Sequence, residues 1–480
     1  MNKTDLIIIG AGPGGYRAAA FAAANGLRVV VFEKAHVGGT CLNEGCIPTK
    51  AFARNAEIVQ TLKEAEQYGL ALTDCQLDFR RVVERKNQVV ESLRSGIETL
   101  LGHPNIELVD RQAQFKDAHT IVTDTGEEYV ADYIIVATGS EPKHLRLETY
   151  DDGAACDSEY LLRMPTLPRR LCIVGAGVIG MEFASIFNSF GVEVTVVEFL
   201  KECLPVLDSD IAKRLRKTLE KRGVKFVMQA AVRSITFKQP LSDSWDGADG
   251  CLCKENTGEY MCKETIVGYT RKGKDETVEA DLVLMAVGRK PRVSADFACA
   301  GFEYDERMGI RVDDHMQTSI PGIYAIGDVN GRQMLAHAAE MQGLQAVAHI
   351  LSLVRPEAKG ASAAPRLDVM PAAIFTLPEA ACVGLSEDQC KAQGVGYSCH
   401  KSFYRANGKA LAMNESEGML KLMADDEGRI IGCHAFGAHA ADLVQEASVL
   451  ICKHATLGEL RQMVHIHPTL SEILLAAAEN

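Results

Sequence analysis

Cys41 and Cys46 are the first residues in this sequence whose types and spacing point to chemistry. They are two thiols five positions apart in Gly38-Gly39-Thr40-Cys41-Leu42-Asn43-Glu44-Gly45-Cys46-Ile47-Pro48-Thr49-Lys50. In a regular helix, residues at that separation have Cα atoms about 8.6 Å apart, beyond the roughly 7 Å that a disulfide tolerates. A bridge therefore needs a distorted turn, which Gly45 supplies. A close and locally strained pair is what a reversible dithiol–disulfide couple requires, because unstrained structural disulfides resist reduction. Taken alone, the spacing is also met by two buried core thiols.

The element that must position these thiols is written immediately upstream, and it occurs twice. Asp5 to Glu33 and Arg170 to Glu198 match at a constant offset of 165 residues, so that Gly10, Gly12, Gly15, Gly26 and Glu33 fall on Gly175, Gly177, Gly180, Gly191 and Glu198. Each copy predicts a β-branched strand (Leu6 to Ile9; Leu171 to Val174), a glycine turn, a helix, and a second strand ending on an acid (Val29 to Glu33; Val194 to Glu198). The first glycine makes a tight turn, the second admits a pyrophosphate to the backbone, and the third lets helix pack on strand. The terminal carboxylate accepts hydrogen bonds from ribose hydroxyls. One such fingerprint alone is equally a plain turn; strand, helix and acid in register twice predict two bound dinucleotides. Glu198 favours NAD over NADP, since a carboxylate binds a free 2′-hydroxyl and repels a 2′-phosphate. A dithiol directly after such a fingerprint reads as a redox couple beside a flavin.

At 480 residues and 47% hydrophobic composition the chain is expected to form three or four lobes. Its start runs into the strand at Leu6 without a secretory signal, and no apolar run approaches the roughly 20 residues of a membrane span, so a cytoplasmic protein is expected. Fifteen cysteines in so large a chain read mostly as reduced, buried fillers. A net charge of −13 disfavours nucleic acid and anionic membranes as partners and suits a basic protein.

With these motifs placed, the sequence resembles the class I pyridine nucleotide-disulfide oxidoreductases along nearly its whole length. The stretch Gly39 to Lys50 is most similar to the dihydrolipoamide dehydrogenase branch. The resemblance implies an α/β fold with two Rossmann-like FAD- and NAD-binding domains plus a C-terminal α+β dimerisation domain. FAD would lie on the first fingerprint and NAD on the second. Ala137-Thr138-Gly139-Ser140 is similar to the strand end closing the first FAD segment, and Ala286-Val287-Gly288-Arg289 to the turn after the NAD domain. Thr318 to Asp328 resembles a second FAD fingerprint, whose aspartate holds the ribitol chain. Met334-Leu335-Ala336-His337 resembles a segment near the flavin. The resemblance also places Thr40 and Lys50 at the flavin, pairs Lys50 with Glu182, and adds Val232 and Ala113 as cofactor contacts. Ala113 is the weaker assignment, because Arg111-Gln112-Ala113 stands where a glycine-containing turn often approaches the adenine.

Near the C-terminus, His465-Ile466-His467-Pro468-Thr469-Leu470-Ser471-Glu472 is similar to the family's acid–base motif. A histidine can take and return a thiol proton near neutral pH, and a carboxylate on its other ring nitrogen fixes the tautomer. His467 and Glu472 are that pair by resemblance; His465 reads as structural. The implied reaction is NAD-dependent oxidation of protein-bound dihydrolipoyl groups. A substrate thiolate attacks Cys41, Cys46 lies against the flavin, and the partner subunit's His467 takes the proton. The implied partners are a second copy of the chain and lipoyl-bearing proteins of 2-oxo acid dehydrogenase complexes or the glycine cleavage system. The runner-up is another FAD-dependent disulfide reductase of the family, glutathione-like or mercuric. Glu198 and a tail without additional thiols disfavour it. A flavoprotein scaffold without turnover is the third reading, opposed by the intact Cys41, Cys46, His467 and Glu472.

The motif order divides the chain into an FAD domain (1–142), an NAD domain (143–289), a return segment of the FAD domain (290–350) and an interface domain (351–480). A Pro-, Ala- and Gly-rich linker from Ser352 to Arg366 marks the last boundary. Lys238 to Lys263 reads as an insertion carrying Trp245, Cys251, Cys253 and Cys262; it is expected to be an extended hairpin that holds no metal.

Overall fold

The computed structural model describes residues 2–238, 264–355 and 365–480. The expected hairpin, with Trp245, Cys251, Cys253 and Cys262, lies outside the described residues, as does most of the linker. Contacts gather the chain into two units. The first is Met1–Ala51, Glu84–Lys143 and Arg289–Leu367; the second is Phe52–Val83, His144–Gly288 and Asp368–Asn480.

The first unit is built on β1 (Asn2–Ile9), α1 (Pro13–Ala24) and β2 (Val29–Glu33). Leu6, Ile7 and Ile8 are fully buried, as the continuous apolar run of a strand covered on both faces demands. β3 (Ile106–Asp110), β4 (Ala113–Phe115), β5 (Thr120–Thr123) and β6 (Glu128–Val136) complete the sheet in the order β3-β2-β1-β6-β5-β4, and the strand Ile323–Ala325 pairs with β6. β1, β2, β3, β6 and Ile323–Ala325 run parallel, while β4 and β5 are antiparallel. Helix α1 opens with Pro13, whose missing N–H costs nothing in a first turn. Its small residues Ala18, Ala19, Ala22 and Ala23 are buried, and a Cβ on Gly14 would stand 2.9 Å from the Ala339 carbonyl oxygen. α1 and the helix Ala336–Val354 therefore cross with their backbones in contact, which only glycine and alanine permit.

The second unit repeats the pattern. β7 (Arg170–Val174), α4 (Val178–Ser189), β8 (Glu193–Glu198), α5 (Ser209–Lys221), β9 (Lys225–Met228) and β10 (Leu282–Met285) give a parallel sheet in the order β9-β8-β7-β10. A C-terminal antiparallel sheet follows, in the order β11-β12-β15-β14-β13. Its strands are β11 (Ala372–Ile374), β12 (Glu379–Gly384), β13 (Ser398–Phe403), β14 (Met419–Ala424) and β15 (Ile430–Gly437). Helix α6 (Glu387–Gln393) joins β12 to β13; α7 (Ala440–Cys452), α8 (Leu457–Arg461) and α9 (Glu472–Glu479) follow β15.

Period-two alternation gives this last sheet two buried faces. Leu420, Leu422, Cys433 and Ala435 face the core shared with α7 and α9, while Met419, Phe436, Ala380 and Cys382 join the core of the nucleotide fold. The second face also carries charge. Lys421, aligned with His434 across β14 and β15, bonds Asp208 and Glu387 at 2.7 Å each, and Lys421 and Asp208 are both 1% exposed. Asp208 also caps α5 through the Asp210 N–H, and its own N–H donates to His434 Nδ1 at 3.0 Å.

Candidate active site

In both fingerprints steric necessity fixes the glycines. A Cβ on Gly10 would lie 2.4 Å from the Ala137 oxygen, and one on Gly175 would lie 2.5 Å from the Ala286 oxygen. On Gly15 and Gly180 it would reach 1.9 and 2.0 Å from the oxygens of Gly10 and Gly175. Gly12 and Gly177 differ: each precedes its helix in an extended conformation, and a Cβ on Gly177 would meet nothing within 4 Å. Neither α1 nor α4 has a side chain capping its first turn. The orphan N–H groups of such first turns are what a pyrophosphate satisfies. FAD in the first unit and NAD in the second fit the residues present.

The two acids are tied back into their own turns. Glu33 accepts from the N–H groups of Ala11 at 2.9 Å and Ala35 at 3.0 Å; Glu198 accepts from Ala176 at 2.5 Å and Leu200 at 2.7 Å. Each carboxylate thus clamps the glycine turn to the strand end. Each oxygen keeps a further lone pair for a ribose hydroxyl.

The return segment converges on the same strand end as the first fingerprint. Ser140 Oγ donates to Asp328 Oδ2 at 2.5 Å, and Arg289 donates to Ser140 Oγ at 2.7 Å and to the Ser140 carbonyl at 2.8 Å. Burial pushes the Asp328 carboxyl up, with the Ser140 hydrogen bond opposing it. Thr138 Oγ1 donates to the Arg292 carbonyl, and the Gly139 carbonyl accepts from the Arg292 N–H. Leu335 precedes the helix that begins at Ala336 and carries His337, and Met334 lies just before it. Gly288 follows β10 with φ 100°, Val232 sits at an irregularity in the strand Ala230–Phe237, and Ala113 opens β4.

The dithiol straddles a helix break. α2 (Gly39–Asn43) ends at Glu44, and α3 (Cys46–Lys63) begins at the second cysteine. A Cβ on Gly45 would lie 2.9 Å from the Thr40 oxygen and 3.4 Å from Cys41 Cα, so the turn that brings the sulfurs together closes only over glycine. Both cysteines are half-buried thiols, hydrogen-bonded to each other. The bond to Cys46, followed by burial, drives the Cys41 thiol far above its ordinary range, while Lys50 opposes the shift. Once one thiolate forms, its neighbour keeps the proton.

In the second unit, His467 Nδ1 meets Glu472 Oε1 at 2.9 Å, and Glu472 Oε2 accepts the Thr469 N–H at 2.8 Å. The Thr469 amide, then His467, hold the Glu472 carboxyl below the usual carboxylate range. A carboxylate on Nδ1 leaves Nε2 as the basic nitrogen, and the His467 side chain is 79% exposed.

Residues 4–343 match the profile of pyridine nucleotide-disulphide oxidoreductases, and residues 370–478 match the dimerisation domain of the same enzymes. The chain belongs to this oxidoreductase family. Its curated relatives include a dihydrolipoyl dehydrogenase of Thermus scotoductus, 37% identical over 100% of this chain and 97% of the relative. Another is that of Bacillus subtilis, 35% identical over 99% and 98%. Among solved structures, LpdA from Mycobacterium tuberculosis superposes with a TM-score of 0.85 at 26% identity, covering 100% of this chain and 99% of that one. The HOCl-induced flavoprotein disulfide reductase RclA from Escherichia coli gives 0.82 at 27%, covering 99% of each. FAD and NAD are the family's cofactors. Among the described residues, no helix is long and apolar enough to cross a membrane.

Within this oxidoreductase frame several supporting residues escape sequence reading. Asn43 donates to the carbonyls of Gly39 and Val37 and accepts from Arg94, latching the dithiol turn to a helix 51 positions away. Gln342 accepts from the Gly327 N–H and from Asn330, fixing the loop that presents Asp328. Glu182, which the sequence resemblance already singles out, lies on α4, 4% exposed, and accepts the Phe375 N–H at 2.9 Å. No local signal marks the partners of Asn43 or Gln342.

Proposed function

We propose that this chain catalyses NAD-dependent oxidation of protein-bound dihydrolipoyl groups. The observation that carries the reading is a dithiol turn closed over Gly45, directly behind the first fingerprint, in a chain that aligns end to end with curated dihydrolipoyl dehydrogenases. Bound FAD supplies the two-electron path from this dithiol to NAD, regenerating the Cys41–Cys46 disulfide. The chain's own residues handle sulfur and protons. One substrate thiolate attacks the Cys41 sulfur of the disulfide and forms a mixed disulfide as Cys46 leaves as a thiolate. The second substrate thiol, giving its proton to Nε2 of the partner subunit's His467, attacks the bound substrate sulfur and releases Cys41. Lipoamide disulfide departs and both enzyme sulfurs are reduced. Thr40, Lys50, Thr138 to Ser140, Asp328 and Met334 to His337 would hold FAD, with Gly10, Gly12, Gly15, Glu33 and Ala113. Gly175, Gly177, Gly180, Glu198, Val232 and Gly288 would hold NAD, and Lys50 would pair with Glu182.

The same reading makes the enzyme a cytoplasmic homodimer serving lipoyl-bearing proteins, divided at residues 142, 289 and 350 into FAD, NAD, returning FAD and interface segments. The test is a steady-state comparison of dihydrolipoamide with NAD against glutathione disulfide with NADH or NADPH. The reading expects the first pair to exceed the others by at least about 100-fold in kcat/KM, equivalent to about 2.7 kcal/mol in transition-state free energy. Faster turnover of glutathione disulfide would transfer the assignment to a disulfide reductase.

A further inference from the structure

The segment carrying His467 lies between α8 and α9 and takes part in no strand ladder. Val464 is 99% and Ile466 78% exposed, whereas the side chain of His465, between them, is 6% exposed. Its Nδ1 stands 3.1 Å from the Met463 carbonyl oxygen and its Nε2 stands 3.0 Å from Glu446 Oε1. A carbonyl and a carboxylate only accept, so a ring with a proton on each nitrogen satisfies both. Glu446 projects from α7, whose Leu443, Val444, Ala447, Leu450 and Ile451 are buried in the C-terminal core, so the anchor is rigid. Two residues further on, His467 meets Glu472 from α9. Two histidine–glutamate pairs therefore flank one exposed isoleucine, and the His465 charge reaches Glu472, being among the influences that hold that carboxyl low.

We propose that His465 is a positioning residue for the acid–base pair: it pins the Met463–His467 segment to α7, and its charge, balanced by Glu446, sets the proton affinity of His467. This deepens the proposed function, in which His467 takes the substrate's proton. Among the described residues, Glu446 on α7 and Glu472 on α9 bond this segment, and Lys409, His439 and Asp442 line the pocket beside Pro468 to Ser471. If His465 loses its charge, Glu446 faces the segment unbalanced and His467 holds its proton more tightly.

The test uses the full-length holoenzyme with 13C-labelled histidine. His465→Gln keeps a donor toward Glu446 but carries no charge. The titration midpoint of His467, followed by NMR, and the acid limb of kcat/KM for dihydrolipoamide should both rise by about half a pH unit. Adding Glu446→Gln should return both to the wild-type position. An unmoved midpoint in the single variant, or a shift that survives in the double, overturns the proposal. The NMR midpoint needs no substrate, so a protein that fails to turn over dihydrolipoamide refutes the proposed function and leaves this question to the titration. Should His465→Gln fail to fold, Glu446→Gln alone decides. Its amide can donate to a neutral His465, whose own midpoint should then fall by at least about one pH unit. An unchanged midpoint there also refutes the charge pair.

Discussion

The dithiol turn concentrates three constraints on three residues. Cys41 and Cys46 supply the sulfurs, and Gly45 supplies the absence of a side chain 2.9 Å from the Thr40 oxygen. Gly45→Ala is predicted to open the turn at a cost of about 1–3 kcal/mol, measured as a fall in unfolding midpoint, and to slow disulfide closure. The proposed reaction gives the two sulfurs different roles. Cys46→Ser should abolish the long-wavelength absorbance of a thiolate beside oxidised flavin on two-electron reduction. Cys41→Ser should show that absorbance without any reductant; the reverse pattern would exchange the assignments. Glu198 has two tasks, since it would accept ribose hydroxyls and already accepts the N–H groups of Ala176 and Leu200. Glu198→Ala should therefore narrow the preference for NAD over NADP. It should also lower stability by about 1–3 kcal/mol, because two partly buried donors lose their acceptor. An unchanged cofactor preference would remove Glu198 from the specificity assignment.

Between elements, the C-terminal sheet meets α5 through charge as well as apolar packing. Asp208 belongs to the α5 cap, Glu387 to α6, Lys421 to β14 and His434 to β15. Burial lowers the His434 pKa to about 4, with Lys421 adding to the effect and Asp208 opposing it. The unfolded chain therefore binds this proton first. Stability from His434 is complete above about pH 6.5 and declines as pH falls toward 4, by on the order of 3 kcal/mol. Glu387 acts in a lower window. Lys391, then Lys421, hold its carboxyl down to about 2, so its contribution persists above about pH 4.5 and is lost only as pH falls toward 2. Urea unfolding between pH 7 and 5 should thus show a decline that His434→Gln removes and Glu387→Gln leaves in place. Lys421→Met should cost about 3–5 kcal/mol, since it leaves the buried Asp208 carboxylate without its cation.

On the scale of the whole molecule, the C-terminal domain matches a dimerisation profile and carries an exposed His467 among exposed Val464 and Ile466. In the proposed reaction, an isologous dimer through this domain would place the His467 of each chain at the Cys41 of the other. Mixing inactive Cys41→Ser and His467→Ala proteins after reversible dissociation should then restore up to about a quarter of wild-type activity, as random C2 pairing predicts. A mixture that reforms dimers and stays as inactive as its parents would show that each chain completes its own site.

The sequence by itself determined the local pieces: both strand–turn–helix units, whose second strands start and end within a residue of Val29–Glu33 and Val194–Glu198, and the need for glycine before Cys46. These are legible because a glycine turn, an apolar strand and a thiol pair impose their steric demands within a few residues of themselves. Tertiary structure alone decided that Asn43 is latched by Arg94, that Ser140, Asp328 and Arg289 form one cluster, and that His465 meets Glu446. It also decided that Lys421 is neutralised by acids from two other elements. Each joins residues 19 to 213 positions apart. Their proximity follows from sheet order and helix packing, which no local periodicity encodes.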